Sequence, residues 1–162
     1  MRRVFAALCV VLALLALAGC AAPNSTIAKI SAPGGEVPCV QGDENSFPNY
    51  MSANPALQYV PLGAEISVGF DGAPPDAIGY SDTVLNGGGT AKFQGGGDMA
   101  QTPAFSRDGG TYTFSLGVNY AVFASSDSAD YGPGAVIRGI VLRCTWADRS
   151  ASYAFVVRTD AE

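Results

Sequence analysis

The sequence contains no histidine. Histidine is the usual general base of nucleophilic triads and the commonest metal ligand, so Ser–His–Asp and Cys–His catalysis are excluded and no metal site is expected. Basic residues are also scarce, with nine Lys and Arg against fourteen Asp and Glu. Nucleic acids and anionic lipid headgroups are bound through clustered Lys and Arg, so neither is an expected partner. No motif predicts a cofactor.

A hydrophobic run long enough to cross a bilayer is missing too. The longest apolar run covers residues 4–18, whereas a membrane-spanning helix needs about 20 residues. This run follows Arg2 and Arg3 and ends in L-A-G-C at residues 17–20. A basic start, a short apolar stretch and small residues before a cleavage point are the parts of a secretory signal peptide.

The ending at residues 17–20 resembles the lipobox of bacterial lipoproteins. The resemblance implies cleavage before Cys20, a diacylglyceryl group on its thiol, and acylation of the new amino terminus with fatty acids such as palmitate. It therefore implies a protein anchored by lipid to the extracytoplasmic face of the cell membrane. The alternatives are a plain signal peptide, or a single membrane helix, with a cysteine at this position by chance.

Three regions follow from this interpretation. Residues 1–19 form the signal-peptide helix, and its removal leaves a mature chain of 143 residues with a net charge of −7. A chain of this length suits one domain. Residues 20–35 are small and polar with two prolines, which predicts a lipid anchor and a flexible tether. Residues 36–162 then form the folded domain.

The four cysteines are expected to have different roles. Cys9 leaves with the signal peptide, and Cys20 carries the lipid. Cys39 and Cys144 remain as an even pair in an exported protein, so the simplest expectation is a disulfide between them. The alternative is two buried free thiols.

Alternation of apolar and polar residues predicts several strands. Apolar residues occupy every second position of residues 66–70 and again of residues 112–120. Alternation with a period of two is typical of strands that bury one face. Turn signals rich in Gly, Pro, Asn and Asp separate the strands, as at residues 71–76 and 86–89.

The last two strands form the clearest predicted hairpin. Residues 140–146 and 153–157 each carry apolar side chains on one face. A loop at residues 148–151 would set Cys144 opposite Phe155, which points both apolar faces into one core.

Two charged residues break the pattern. Asp82 is in phase with the apolar positions of residues 78–84, and Arg138 is in phase with the core face of the strand that follows it. We interpret Asp82 as marking a bulge or capping a local turn. Arg138 is expected to be turned outward by a bulge at Gly139 or to lie at the end of the sheet, which makes it a candidate ligand residue.

These features predict an all-β fold, an antiparallel β-sandwich of about seven strands, with no amphipathic helix after the signal peptide. Residues 61–159 resemble the immunoglobulin-like domains of bacterial surface lipoproteins. The run D-G-G-T-Y-T-F at residues 108–114 resembles the tyrosine corner of that fold, which implies Tyr112 as the corner residue. A small open barrel is the alternative.

The favoured function is a non-catalytic interaction domain held at the cell envelope, with an unidentified protein or glycan as partner. Loops carry binding in such folds because the paired strands hold them in place. The candidate loops are residues 71–76, 125–134 and 148–151.

Two other functions remain open. The first is a carbohydrate-binding module that uses exposed tyrosines as stacking platforms. Its candidate residues are Tyr50, Tyr59, Tyr80 and Tyr131. The least favoured is a carboxylate-dependent hydrolase, because the acids lie mostly in turns and a sequence does not give the separation of roughly 5 to 9 Å that such catalysis requires.

Overall fold

The structure is a computed structural model that describes residues 26–94 and 99–162. The predicted signal peptide and the predicted lipidation site at Cys20 lie outside the described residues. Within them the chain forms nine strands and one short α-helix. In chain order these are β1 (Ala28–Ala32), β2 (Gly35–Val37), β3 (Val40–Gln41), α1 (Phe47–Ala53), β4 (Glu65–Phe70), β5 (Ala77–Leu85), β6 (Ser106–Asp108), β7 (Thr111–Ser115), β8 (Val136–Thr145) and β9 (Ser150–Thr159).

The strands form two antiparallel sheets, ordered β2-β1-β4-β7-β6 and β3-β9-β8-β5. Leaving out the short strands β2 and β3, the remaining seven have the order of a constant-type immunoglobulin sandwich. The first, second, fifth and fourth of them share one sheet, and the third, sixth and seventh share the other. The predicted antiparallel β-sandwich is therefore confirmed. The strands β2 and β3 extend one edge of each sheet.

The core lies between the two sheets, as the alternation predicts. Ile66 and Val68 of β4 are fully buried, and Phe114 of β7 is buried beside them. Ile140 and Leu142 of β8 face them from the other sheet and are also fully buried. Burying a side chain of this size contributes about 1.5–3 kcal/mol, so these positions fix the register of each strand.

The β8–β9 hairpin has the predicted faces but not the predicted register. Cys144 pairs with Ala151 and not with Phe155. The loop is residues 146–149, and it is closed by a hydrogen bond from the Trp146 N–H to the Arg149 carbonyl at 2.8 Å. The predicted pairing is wrong by four residues because the turn comes two residues earlier. An even shift leaves the same side chains facing the core.

The folded domain begins earlier than predicted. Strand β1 lies inside its sheet between β2 and β4, and Ala28 and Ile30 are buried there. Residues 28–35 are therefore a hairpin of the sandwich, and the tether prediction is wrong for this part. Their small and polar composition is typical of a linker, but two apolar residues two positions apart are enough for a short strand with one buried face.

A short helix covers the outer face of the second sheet, where no helix after the signal peptide was predicted. Phe47 and Tyr50 of α1 are buried against β9, whose outward residues Ala154 and Val156 are also buried. Gly139 makes this approach possible, because a Cβ at that position would lie 2.7 Å from the ring of Phe47.

Tyr112 does not form a tyrosine corner. That motif belongs to the start of the sixth strand of the immunoglobulin fold, which here is β8. Tyr112 lies on β7, the fifth strand, and its hydroxyl donates to the Pro75 carbonyl in the loop before β5. The residue ties the two sheets together at the β4–β5 loop, so the predicted role is wrong.

A buried ion pair explains the two charged residues that break the strand pattern. Arg138 of β8 and Asp82 of β5 are 1% and 0% exposed, and they form a bidentate pair inside the sandwich. The Nε–Oδ1 distance is 2.8 Å. Strand β5 runs through Asp82 with continuous pairing to β8, so neither the predicted bulge nor the predicted local turn is present. Arg138 points into the core, and its predicted role as a ligand residue is wrong.

The ion pair is hydrogen-bonded on every side. The third Arg138 nitrogen, Nη1, donates to the Gly117 carbonyl at 3.1 Å, just beyond β7. The Asn119 amide donates to the Asp82 backbone carbonyl at 3.1 Å. Burial opposes the charge on Arg138, but the hydrogen bonds and charge of Asp82 outweigh it and raise the pKa of Arg138. The pair therefore links β5 and β8 of the second sheet to the segment that follows β7 of the first.

Replacing one residue of the buried ion pair should destabilise the domain. We expect Arg138→Met to lower the free energy of unfolding by about 3–5 kcal/mol, because it leaves the Asp82 carboxylate buried without its counter-charge. Urea denaturation of the purified protein measures the change.

Arg143→Met is the matched control, since Arg143 lies on the same strand and pairs with Glu44 at the surface, with side chains 48% and 38% exposed. An exposed pair contributes about 0.2–1 kcal/mol. Equal and small losses in the two variants would contradict a stabilising role for the buried pair.

Candidate binding site

Two of the four tyrosines predicted as stacking platforms are not available. Tyr50 is 3% exposed, its hydroxyl donates to the Pro38 carbonyl at 2.8 Å, and burial raises the pKa of Tyr50 to about 12. Tyr80 packs against Phe105 and Phe114, with ring centroids 6.4 and 5.5 Å apart. Burial raises the pKa of Tyr80 far above its usual value. The prediction is wrong for these two residues because the Tyr50 ring is buried and the partly buried Tyr80 ring is packed into an aromatic cluster.

The other two tyrosines are exposed. Tyr59 is 46% exposed and Tyr131 is 41% exposed. The Tyr59 hydroxyl donates to Asp160 at 2.5 Å, and the same carboxylate accepts the Gly134 N–H at 2.8 Å. The hydrogen bond between them raises the pKa of Tyr59 and lowers the pKa of Asp160. Tyr59 is thereby fixed beside the carboxyl end of β9.

Tyr131 belongs to a larger group of exposed rings. Tyr120 and Phe123 lie on the same segment between β7 and β8 and are 52% and 46% exposed. The ring centroids are 6.4 Å apart for Tyr120–Phe123 and 6.5 Å apart for Phe123–Tyr131, with planes at 41° and 24°. Contiguous exposed apolar surface is typical of interaction sites. We call these three rings the aromatic patch.

Two short 3₁₀ helices position the patch. The first, Tyr120–Ala124, begins at Asn119, whose side-chain oxygen accepts the Ala121 N–H at 3.1 Å. This is the ordinary N-cap arrangement, in which a side chain satisfies an otherwise unpaired N–H. Ala121 and Val122 are buried, so the rings on either side of them face outward. Since Asn119 also bonds to Asp82, the patch is attached directly to the buried ion pair.

The second 3₁₀ helix, Ser128–Tyr131, is held in the same way. Asp127 accepts the Ala129 N–H at 2.9 Å at its start. The Tyr131 hydroxyl donates to the Ser125 carbonyl at 2.8 Å, which closes the loop on itself. The rings of the patch are therefore ordered before any partner arrives.

Asp130 fixes this loop to the rest of the domain. Its carboxylate accepts hydrogen bonds from the Ser125 hydroxyl and the Lys92 ammonium group, and the bond from Lys92 lowers the pKa of Asp130. Asp127 and Asp130, the two acids of this loop, thus serve its geometry. In residues 26–94 and 99–162 no three Cys, Asp or Glu side chains gather as a metal site would require.

The three candidate loops do not share one end of the sandwich. The Trp146 indole N–H donates to the Ala73 carbonyl at 2.9 Å, which brings residues 71–76 and 146–149 together. Residues 125–134, which precede β8, lie at the opposite end with the aromatic patch. A sequence shows where loops occur but not how the sheets align them.

The structure does not contain the predicted disulfide, since Cys39 and Cys144 are both free thiols. Cys39 comes just before β3 and Cys144 lies on β8, and β9 runs between these two strands. Burial raises the pKa of each thiol to about 12, with a smaller contribution from Cys144 at Cys39.

The residues that sequence reasoning missed are Tyr120 and Phe123. The alternation through residues 112–120 predicts one long strand with Tyr120 facing the core, but β7 ends at Ser115. One signal was available: Asn119 is a preferred N-cap residue, and a cap at that point ends the strand and begins a helical turn.

Comparison of the chain with protein-family models, with curated proteins and with solved structures gives no match. In the part of the chain that the structure describes, no helix has the length and apolar character needed to cross a bilayer.

Thiol chemistry tests the state of the two cysteines. We expect the mature protein, unfolded in urea without reductant, to show both Cys39 and Cys144 as free thiols by alkylation and mass spectrometry. In the folded protein the same reaction should be slow, because a thiol with a pKa near 12 is almost wholly protonated at neutral pH. Labelling of neither residue until reductant is added would contradict the structure and restore the predicted disulfide.

Proposed function

We propose that the protein is a bacterial lipoprotein, anchored through lipid on Cys20, that presents a non-catalytic interaction domain at the cell envelope. The observation that carries this proposal is the position of the aromatic patch. It lies at the end of the sandwich opposite to the point where the chain enters the domain. A binding surface placed there faces away from an anchor at the amino terminus.

The entry point is defined by contacts of Thr26. Its carbonyl accepts the Tyr153 hydroxyl at 2.5 Å, and its hydroxyl accepts a hydrogen bond from Arg149 beside the β8–β9 loop. One residue further on, the Ile27 carbonyl accepts the Asp71 N–H at 3.0 Å. The first described residues therefore lie at the end that carries residues 71–76 and 146–149.

Chain geometry limits how far this end can stand from the membrane. Thr26 is six positions after Cys20, and an extended chain covers at most about 3.6 Å per position, or roughly 20 Å in all. The strands β8 and β9 have ten residues each, so the aromatic patch lies roughly 33 Å beyond the entry point. The loops near Thr26 would face the bilayer and the patch would face a partner.

Binding is favoured over catalysis by the state of the polar groups near the patch. Asp127 caps a helix, and Asp130 is engaged by Lys92 and Ser125. A general acid or base needs a proton to exchange and a pKa near the working pH, whereas the hydrogen bond from Lys92 lowers the pKa of Asp130. What remains at the surface is three ordered rings, which suits binding.

Removing the lipidated residue tests the anchor. Cys20→Ser should release the protein from membranes or leave an uncleaved precursor, because the thiol carries the diacylglyceryl group. Cell fractionation and the mass of the amino terminus measure this. Cys9→Ser is the control and should be processed normally, since that residue leaves with the signal. A Cys20→Ser protein that is cleaved and stays with membranes would contradict the anchor.

Variants at the two ends of the domain test the binding surface. A protein of residues 20–162 that carries Cys20→Ser, and so has neither lipid nor the predicted signal peptide, is mixed with isolated cell envelopes and sedimented. Phe123→Ser should weaken this association by about tenfold or more, since aromatic residues at the centre of an interface commonly contribute over 1 kcal/mol.

The matched control is Ile27→Ser, an exposed apolar residue (56%) at the entry end, which should bind normally. Both changes should alter stability by less than about 0.5 kcal/mol, as is usual at a surface. If both variants lose association equally, or if neither loses it, the aromatic patch is not the surface that contacts the envelope.

A further inference from the structure

We infer that the aromatic patch is a platform for uncharged pyranose rings, so that the partner is a neutral oligosaccharide or polysaccharide. This inference rests on the proposed function, because it names the ligand of the same surface. It is carried by the geometry of the rings, by their surroundings and by the charge of the chain.

The ring faces of the patch are open to a ligand. Rings stacked face to face lie at the carbon contact distance of about 3.5–4 Å, yet Phe123 and Tyr131 have centroids 6.5 Å apart with planes only 24° apart. At this separation the two rings are not in direct face-to-face contact, and both side chains stay more than 40% exposed. Tyr120 continues the row at a similar spacing.

Shallow ring angles distinguish this patch from the aromatic pairs of the interior. Phe70 meets Trp146 at 87° and Tyr112 at 89°, the edge-to-face arrangement that fills a core. The patch has angles of 41° and 24°. Exposed, near-parallel rings of this kind can stack on the flat apolar faces of pyranose rings. A cage for a quaternary ammonium group needs rings that enclose it from several sides.

The length of the row of three rings in the aromatic patch indicates the size of the ligand. Two centroid steps of 6.4 and 6.5 Å give a row of at most about 13 Å. A pyranose ring is similar in size to an aromatic ring, so the row suits an oligosaccharide better than a single sugar. The loop is already ordered by its hydrogen bonds, which reduces the entropy lost on binding.

Charge and hydrogen bonding narrow the class of sugar. The exposed Asp127 carboxylate and the paired Asp130 and Lys92 side chains lie on the same loop and at its edge, where they offer acceptors and donors to hydroxyl groups. The mature chain carries a net charge of −7. Polysaccharides built from uronic acids would be repelled by this charge, so the ligand is expected to be uncharged.

A panel of defined oligosaccharides tests the inference. The full mature protein, held in a detergent without a sugar headgroup, is titrated with chitohexaose, cellohexaose, maltohexaose and mannohexaose by calorimetry and by saturation-transfer NMR. We expect at least one to bind, Phe123→Ala to weaken it by tenfold or more, and Phe123→Trp to retain it. Ile27→Ala should bind like the wild type, and hexagalacturonate, which is anionic, should bind at least tenfold more weakly.

The outcomes separate this inference from the proposed function. Sugar binding that Phe123→Ala leaves unchanged overturns the assignment of the site. If none of the four neutral sugars binds but sedimentation with envelopes still depends on Phe123, the ligand is a protein and the sugar inference alone fails. If neither sugars nor envelopes bind through the patch, the proposed function fails as well. Thermal unfolding of each variant confirms that it is folded.

Discussion

The ion pair between Arg138 and Asp82 is the contact on which the rest of this domain depends. It lies buried inside a sandwich whose other inward side chains are mostly apolar, and such a pair is tolerated only when its hydrogen bonds are satisfied. Satisfying them draws in Gly117 and Asn119 from the segment beyond β7. Asn119 then caps the helix that carries Tyr120 and Phe123, so a polar contact in the core determines where the exposed rings lie. An apolar core would give a stable sandwich without this connection.

The two ends of the sandwich differ in chemistry. At the entry end, Thr26 is held by Tyr153 and Arg149, and the loops pack on one another through Trp146. At the far end, two 3₁₀ helices hold three large rings in water, an arrangement that gains no free energy in the isolated chain. Ordered loops that keep apolar rings exposed are most simply explained by a partner that covers them.

Much of the fold could be predicted from the sequence because it depends on local periodicity. The alternation around Ile66 and Ile140 gave the correct inward faces, and those faces define a sandwich. The predictions fail where contacts between residues far apart in the sequence determine the structure. Arg138 and Asp82 were each interpreted alone, although two opposite charges in phase with the core on different strands predict an ion pair. The burial of Tyr50 depends on the sheet beneath α1, which no local pattern shows.

The central claim is that the core network holds Tyr120 and Tyr131 exposed at one end of the sandwich while Tyr50 and Tyr80 stay packed against its core. Photochemically induced nuclear polarisation reports which tyrosine rings a dissolved dye can reach, and the chain has seven tyrosines. The account predicts signals from Tyr59, Tyr120 and Tyr131 and silence from Tyr50 and Tyr80. Silence from both Tyr120 and Tyr131, or a signal from Tyr80 beside the ion pair, would contradict it.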